Sequence, residues 1–472
     1  MTLQVPANIF REYDVRGIAD QHLTDELMRA LGRAFALTLA DGDSGKVQKR
    51  TVALARDCRL SSDRIHAALR DGLLEAGLDI IDVGVGPTPM LYFAVATLDV
   101  AGGLMITGSH NPAPENGVKM LRKEGSIFGA EIQRLRERIV RGESGAGPRG
   151  SLREHDVKPA YVQYMKDNLQ IPRGADGIVD IKLVIDAGNG SGGPLGLRSM
   201  EALGLRPVAL YCEMDGRFPN HHPDPTQPEN LTALIAKVKE TGARVGIAYD
   251  GDADRLGAVD ADGTIVWGDR LLTLFARDIL RTEPGAKILG EVKCSQTLYD
   301  DIAKHGGVPI LWKTGHSLIK TKMKEEHALL AGEMSGHLFF KHRYFGYDDA
   351  IYASLRLLEI LVRTGKTIGE LLADLPKTFV TPEIRVDSDD TVKFQIVDRV
   401  RDKFRAELGR DKVIDIDGAR ILFEHGWGLV RASNTQPALV VRFEADTEAR
   451  RDQYRARVEG EIAAAKAALA AT

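Results

Sequence analysis

Apolar positions fall into two alternating rhythms along most of the chain. After Thr24, an N-cap residue type followed by Asp25 and Glu26, Leu27, Leu31 and Phe35 recur at helical spacing. Residues 52–55 form a short apolar run of strand type. Ser61 or Ser62 then opens a helix with Ile65, Leu69 and Leu73 on one face, ending at Gly77. Residues 78–83 read as a second strand and 86–89 (Gly-Pro-Thr-Pro) as a turn. The run Gly102-Gly103-Leu104-Met105-Ile106 reads as a buried strand emptying into the loop Thr107-Gly108-Ser109-His110-Asn111-Pro112. Strands alternating with helices predict βαβ units and a largely parallel sheet.

The rhythm returns twice. Residues 142–150, small, polar and Pro-containing, have nothing to bury and read as a linker. Beyond it come a strand at 182–185, a helix after Gly193, a strand at 207–211, a helix at 231–240, a strand at 244–248 and a hairpin turning at Asp262-Gly263. A third round has helices at 271–280, 297–304, 318–324 and 350–362, with strands at 287–292, 309–312 and 328–331. From about residue 381 the order changes to an amphipathic helix at 394–408, several strands between 413 and 443 and an Ala-rich helix. The expectation is an α/β protein: three similar α/β domains with mixed, largely parallel sheets plus a smaller α+β C-terminal domain, around a central cleft. The expected boundaries are 1–154, 155–262, 263–376 and 377–472.

Composition narrows the class. A chain of 472 residues exceeds one ordinary core, and 43% hydrophobic with 28% charged residues suits a soluble globular protein. The net charge of -4, from 63 Lys+Arg against 67 Asp+Glu, argues against nucleic acid or an anionic membrane as main partner. Any anion site is therefore local. Cys58, Cys212 and Cys294 are scattered and lack metal-type spacing, as reduced thiols would be. No signal peptide is visible at Met1-Thr2-Leu3-Gln4-Val5-Pro6, and no apolar run approaches the ~20 residues of a membrane span. A cytoplasmic location is expected.

Four segments carry chemistry. Ser109 lies between a glycine that lets backbone approach a ligand and a proline that stops regular structure, so its hydroxyl is expected to be presented rather than packed. Asp250-Gly251-Asp252-Ala253-Asp254-Arg255 follows an apolar strand, and three carboxylates at alternate positions repel one another unless a hard cation such as Mg²⁺ neutralises them. An EF-hand fits badly, with Arg255 at its sixth position and Ala261 at its twelfth. Asp260 and Asp262 are assigned to the hairpin turn. Glu333-Met334-Ser335-Gly336-His337 offers polar groups for sugar hydroxyls, and Arg431-Ala432-Ser433-Asn434-Thr435-Gln436-Pro437 makes a phosphate cradle. Lys293, Gly315 and His316 also fall at strand ends. Residues 188–193 match G-x-G-x-x-G with Glu213 about twenty residues on, the dinucleotide fingerprint, but no second redox feature accompanies it. Ligands in open α/β sheets bind beyond the carboxyl ends of strands, so these segments would meet in one cleft suited to phosphoryl transfer on a phosphorylated polyol.

The motifs EYDVRG, TGSHNP, DGDADR, GEMSGH and RASNTQP, in this order over nearly the whole chain, resemble those of the α-D-phosphohexomutases, and most closely the bacterial phosphomannomutase/phosphoglucomutase group. The resemblance implies that Ser109 carries phosphate and that Asp250, Asp252 and Asp254, with a phosphoserine oxygen, ligate Mg²⁺. It implies that Glu333 and Ser335 bind sugar hydroxyls and that Arg431, Ser433, Asn434 and Thr435 hold the non-transferring phosphate. Tyr13, Arg16, Lys119, Arg255, Lys293, Gly315, His316 and His337 would line the cleft, with Lys119 and His337 as candidates for moving the hydroxyl proton and His110 shaping the serine loop. Met334 and the sequence Ser433-Asn434-Thr435-Gln436-Pro437 look like the glucose/mannose type, and residues 188–193 become a structural turn. The implied partners are small-molecule hexose phosphates, with glucose 1,6-bisphosphate as activator and intermediate, acting on a monomer whose fourth domain moves. An aspartyl-phosphate phosphatase using Asp250 and Asp252 is the rival reaction, and Asp254 counts against it. A non-enzymatic phosphosugar-binding protein is the third reading.

Overall fold

The computed structural model describes residues 3–41, 50–143, 148–433 and 437–470. Among them, four sheets of seven, five, four and six strands follow one another along the chain. In the first, Thr51–Arg56 lies parallel to Asp79–Val85 and Gly102–Ile106, while Glu115–Arg122 and Val15–Ile18 extend it antiparallel. In the second, Leu183–Asp186 is parallel to both Val208–Leu210 and Val245–Tyr249, and the hairpin Leu256–Asp260/Ile265–Val266 finishes it. In the third, Lys287–Glu291 sits between two parallel partners, Val308–Trp312 and Leu330–Gly332, with Leu338–Phe340 antiparallel at one edge. The fourth sheet is antiparallel throughout and is packed by helices Lys393–Leu408 and Glu448–Ala470. This is the expected architecture of three mixed α/β units and one α+β unit.

Helix Asp25–Asp41 starts where the pattern predicts, with Thr24 Oγ1 accepting from the Leu27 amide. Helix Ser62–Glu75 also begins in place, but Ser62 donates to Asp57 Oδ1 instead of capping it. Several elements depart from the sequence reading, among them helix Lys158–Asn168 and strands Val15–Ile18 and Leu338–Phe340, which it does not contain. The predicted turn at 86–89 runs into helix Thr88–Thr97, whose residues 88–95 are all buried. A helix covered on every side has no polar face, so it lacks the 3.6-residue signature. Strand Glu115–Arg122 was also not anticipated.

One hydrophobic cluster runs through the first three units. Within it Phe93 meets Tyr161, Tyr164 and Phe345, Tyr164 meets Tyr344 and Phe345, and Tyr92 meets Tyr347. Asp349 at its centre accepts hydroxyl hydrogen bonds from Tyr161 and Tyr344, and burial pushes its carboxyl up to about 6. The fourth unit has its own core around Phe404, Ile421 and Phe443. It meets the third through a small group, Val292, Trp427 and Leu429, and through Arg420, fully buried, which donates to the carbonyls of Val292 and Cys294 at 2.7 and 2.9 Å.

Candidate active site

The strand Gly102–Ile106 delivers Ser109 into a left-handed backbone conformation, φ 50°. Contrary to the expectation of a presented hydroxyl, Ser109 is only 3% exposed, because the aspartate loop of the second unit closes over it. A Cβ on Gly251 would stand 2.3 Å from the Ser109 carbonyl oxygen, so only glycine permits this approach. Ser109 Oγ lies 3.0 Å from Asp250 Oδ2 and 3.1 Å from His110 Nδ1. One hydroxyl proton cannot serve both; when Asp250 accepts it, His110 donates from Nδ1 to the serine oxygen. Burial, then the charges of Arg255 and Arg16, hold His110 well below the usual histidine range, so it stays neutral.

Strand Val245–Tyr249 ends in the three carboxylates, all fully buried. Asp250 Oδ1 accepts from the amides of Asp254 and Arg255 at 3.0 and 3.1 Å. Burial, followed by the charges of Asp254 and Asp252, raises the Asp250 carboxyl well above the usual carboxylate range. Asp252 goes the opposite way: burial alone would raise it, but Lys119 and the Thr88 hydroxyl outweigh burial and hold it low. Lys119 Nζ bridges Asp252 Oδ2 and Asp254 Oδ2 at 2.7 and 2.5 Å, and these carboxylates raise its pKa against the opposing effect of burial. Lys119 reaches only two of the three carboxylates, leaving Asp250 to Ser109 and the loop amides. Asp252 Oδ1 and Asp254 Oδ1 are buried without hydrogen-bond partners, and ligand atoms of all three aspartates fall within 4.8 Å of one another. An all-oxygen set with two orphaned acceptors fits a hard divalent cation.

The glycine-rich segment at 188–193 is filled by protein. Ser191 donates from both its amide and its hydroxyl to the Gly251 carbonyl, at 2.9 and 3.1 Å. It is a buttress of the aspartate loop. Asp260 and Asp262 both belong to the hairpin, Asp262 accepting from the Thr264 amide and the Asp260 backbone bonding to Thr264 and Gly263, while the Asp260 side chain also accepts from the amides of Ile368 and Gly369.

The first unit also brings Arg16, on strand Val15–Ile18, tied to Asp14 at 2.5 Å and to Asn111 Oδ1 at 2.8 Å. Tyr13 donates to the Thr314 carbonyl at 3.1 Å and its ring stands 5.6 Å from that of His316. From the third unit, Glu333 Oε1 accepts from the Gly315 amide at 2.6 Å, and Ser335 Oγ donates to Glu333 Oε2 at 3.2 Å. His337 stacks on His316, with ring centroids 5.7 Å apart. Its Nδ1 lies 3.0 Å from Asp348 Oδ2, and its Nε2 accepts from Arg255 Nε at 2.9 Å. Lys293 pairs with Glu383 of the fourth unit at 3.1 Å and lies 3.6 Å from Glu291. Arg431 Nε donates to Asp417 Oδ2 at 3.0 Å, and the same oxygen accepts from the Thr314 amide at 3.1 Å. Ser433 is buried beside it, its carbonyl accepting from Lys393 Nζ at 2.6 Å. Asn434 and Thr435 lie outside the described residues.

The predicted residues that are described thus converge from four units. Sequence reasoning passed over the groups that hold them: Arg59, Thr88, Glu291, Asp348 and Asp417. Each is a single polar residue at a strand end or turn. Their only common signal was that position, at the edge where the motif residues also lie.

A buried serine against a tri-aspartate set, ringed by Arg and Lys from separate units, defines a phosphoryl-handling cleft. The phosphoglucomutase/phosphomannomutase models match in order: alpha/beta/alpha domain I over residues 7–145, domain II over 159–263, domain III over 267–379 and the C-terminal domain over 383–461. The chain is 46% identical to a phosphomannomutase/phosphoglucomutase of Pseudomonas aeruginosa PAO1, over 94% of this chain and 93% of that protein. It is 44% identical to a phosphoglucomutase of Neisseria gonorrhoeae, over 94% of each. The crystal structure of a phosphoglucomutase/phosphomannomutase family protein from Burkholderia thailandensis superimposes with a TM-score of 0.90 at 43% identity, covering 98% of both chains. The chain belongs to the phosphoglucomutase/phosphomannomutase family of mutase enzymes.

Proposed function

We propose that the protein reversibly interconverts hexose 1-phosphate and hexose 6-phosphate, of mannose or glucose, through phosphoserine 109 and a 1,6-bisphosphate intermediate. The observation that carries this reading is Ser109 Oγ, 3.0 Å from Asp250 in a buried tri-aspartate site faced by cations from several units. Asp250, Asp252, Asp254 and a phosphoserine oxygen would hold Mg²⁺, which when bound neutralises the carboxylates and draws charge from the transferring phosphoryl group.

In the forward half-reaction the bond from phosphorus to the Ser109 oxygen breaks, a bond to the sugar hydroxyl oxygen forms, and the proton of that hydroxyl is passed on to the Ser109 oxygen, which is left as a free hydroxyl. Lys119, held between Asp252 and Asp254, and His337 are the two groups assigned to carry that proton. His337 Nε2 accepts from Arg255 Nε, so that nitrogen takes the proton only by releasing Arg255. Arg16 and Arg255 stabilise phosphoryl charge, with Arg255 aimed by the chain Asp348–His337. Glu333 and Ser335 receive sugar hydroxyls between Gly315, His316 and Tyr13. Arg431, Ser433, Asn434, Thr435 and Lys293 hold the non-transferring phosphate. His110 shapes the serine loop. The bisphosphate turns over within the cleft while the fourth unit moves.

The same reading divides the chain after 154, 262 and 376. It takes the enzyme as a monomer and as cytoplasmic, the latter in keeping with three free cysteines. An aspartyl-phosphate mechanism is disfavoured because both oxygens of Asp250 are engaged, one by two amides and one by Ser109. One assay tests the reading: glucose 1-phosphate with Mg²⁺ and a trace of glucose 1,6-bisphosphate should give the 6-phosphate. Release of inorganic phosphate in its place would contradict it.

A further inference from the structure

We propose that Arg59 is a positioning residue for phosphoryl transfer: its guanidinium gathers the backbone of the Ser109 loop and sets the serine against the aspartate loop. The proposal rests on the phosphoserine reading above. Arg59 is buried, with its side chain wholly inaccessible. One terminal nitrogen donates to the carbonyls of Ser109 and Asn111, both at 2.6 Å. The other donates to those of Pro112 and Glu115 at 2.7 and 2.9 Å. Four carbonyls of one loop thus point at a single planar cation, a geometry that the fork of arginine supplies and the point charge of lysine does not.

The arginine is itself held. Asp57 Oδ2 stands 3.3 Å from Arg59 Nε and also accepts from the Gly108 amide at 3.2 Å, while Asp57 Oδ1 accepts from the Arg59 amide at 3.0 Å. A Cβ on Gly108 would lie 2.5 Å from the guanidinium carbon, so the loop closes on it without a gap. The Phe218 ring of the second unit lies under the cation, 5.0 Å from its centroid. The Ser109 carbonyl is therefore wedged between Arg59 and Gly251. This wedge fixes the left-handed serine and its distance to Asp250. Without Arg59 those buried carbonyls lose their donor and the serine is free to leave its position against Asp250.

The test uses the full-length enzyme and the variants Arg59→Ala and Arg59→Lys, with glucose 1-phosphate as substrate. Phosphate on Ser109 after incubation with glucose 1,6-bisphosphate is measured by mass spectrometry, and thermal melting monitors folding. The parent should take one phosphate. Both variants should lose about a hundredfold in kcat per folded molecule, take phosphate more slowly and keep KM nearly unchanged. Guanidinium ion should restore part of the lost kcat in Arg59→Ala and none in Arg59→Lys. Should Arg59→Ala fail to fold, Arg59→Lys carries the same kcat and KM readouts. Phosphorylation and kcat at parental levels in Arg59→Lys, or a KM rising in step with the fall in kcat, would overturn the positioning role while leaving the phosphoserine intact. A parent that takes no phosphate would overturn both.

Discussion

The two ends of the cleft are built differently. Around Ser109, backbone and side chains are locked by buried partners: four carbonyls on Arg59, two aspartates sharing Lys119, and a continuous apolar core joining the first three units. Around Arg431, the fourth unit keeps a separate core and meets the third mainly through polar contacts, Asp417 to Thr314, Glu383 to Lys293 and Arg420 to two carbonyls. Chemistry that depends on atomic placement sits in the fused block. Gripping of a remote phosphate sits on an element that has its own core and is joined to the third unit by a few discrete contacts, as a ligand that must turn over requires.

Substitutions at the two ends should therefore fail in different ways. Ser109→Ala is expected to lower kcat at least about a thousandfold with little change in melting temperature; near-normal turnover in a clean preparation would break the comparison at its rigid end. Removing divalent cation with a chelator should abolish turnover. It should leave Lys119 against unneutralised carboxylates, so re-addition of Mg²⁺ should raise the melting temperature in the parent but not in an Asp252→Asn/Asp254→Asn double variant. Arg431→Ala is expected to raise KM about 10- to 100-fold while kcat stays within a few-fold, and an unchanged KM would mean that the phosphate is held elsewhere. Asp417→Ala should act in the same direction but more weakly, by about three- to tenfold in KM, because it removes only the partner that orients Arg431.

The smallest expected effect concerns pH. The charge of Lys293 holds the Glu383 carboxyl down at about 2, below its ordinary 4.5. A depressed folded-state pKa stabilises above the unfolded value and loses that contribution as pH falls through the folded one. Attachment of the fourth unit through this pair should thus weaken as pH drops from about 4.5 towards 2. In Glu383→Gln this part of the acid dependence should vanish, measured as the difference between the two pH–melting curves.

The division between the two ends also explains what could be read from the chain. Ser109, Asp250 to Asp254, Glu333 and Arg431 stand in short contiguous motifs after apolar strands, and strand-end position plus residue type was enough to bring them together. The α/β rhythm was legible for the same reason, since amphipathic helices and strand-length apolar runs are local patterns. Helix Thr88–Thr97 was not, being buried on all sides. Nor were Arg59, Asp348 and Asp417, whose partners lie far along the chain: Asp417 acts on Thr314, and Arg59 on carbonyls some fifty residues away. The burial of Ser109 escaped notice because the loop that covers it belongs to another unit.

The account stands most directly on where the phosphate sits between turnovers. Enzyme incubated with glucose 1,6-bisphosphate, freed of ligand and digested should carry one phosphoryl group on the peptide containing Ser109, stable to hydroxylamine and discharged by glucose 1-phosphate. Phosphate found as a hydroxylamine-labile ester of Asp250, or absent from the protein during active turnover, would contradict it.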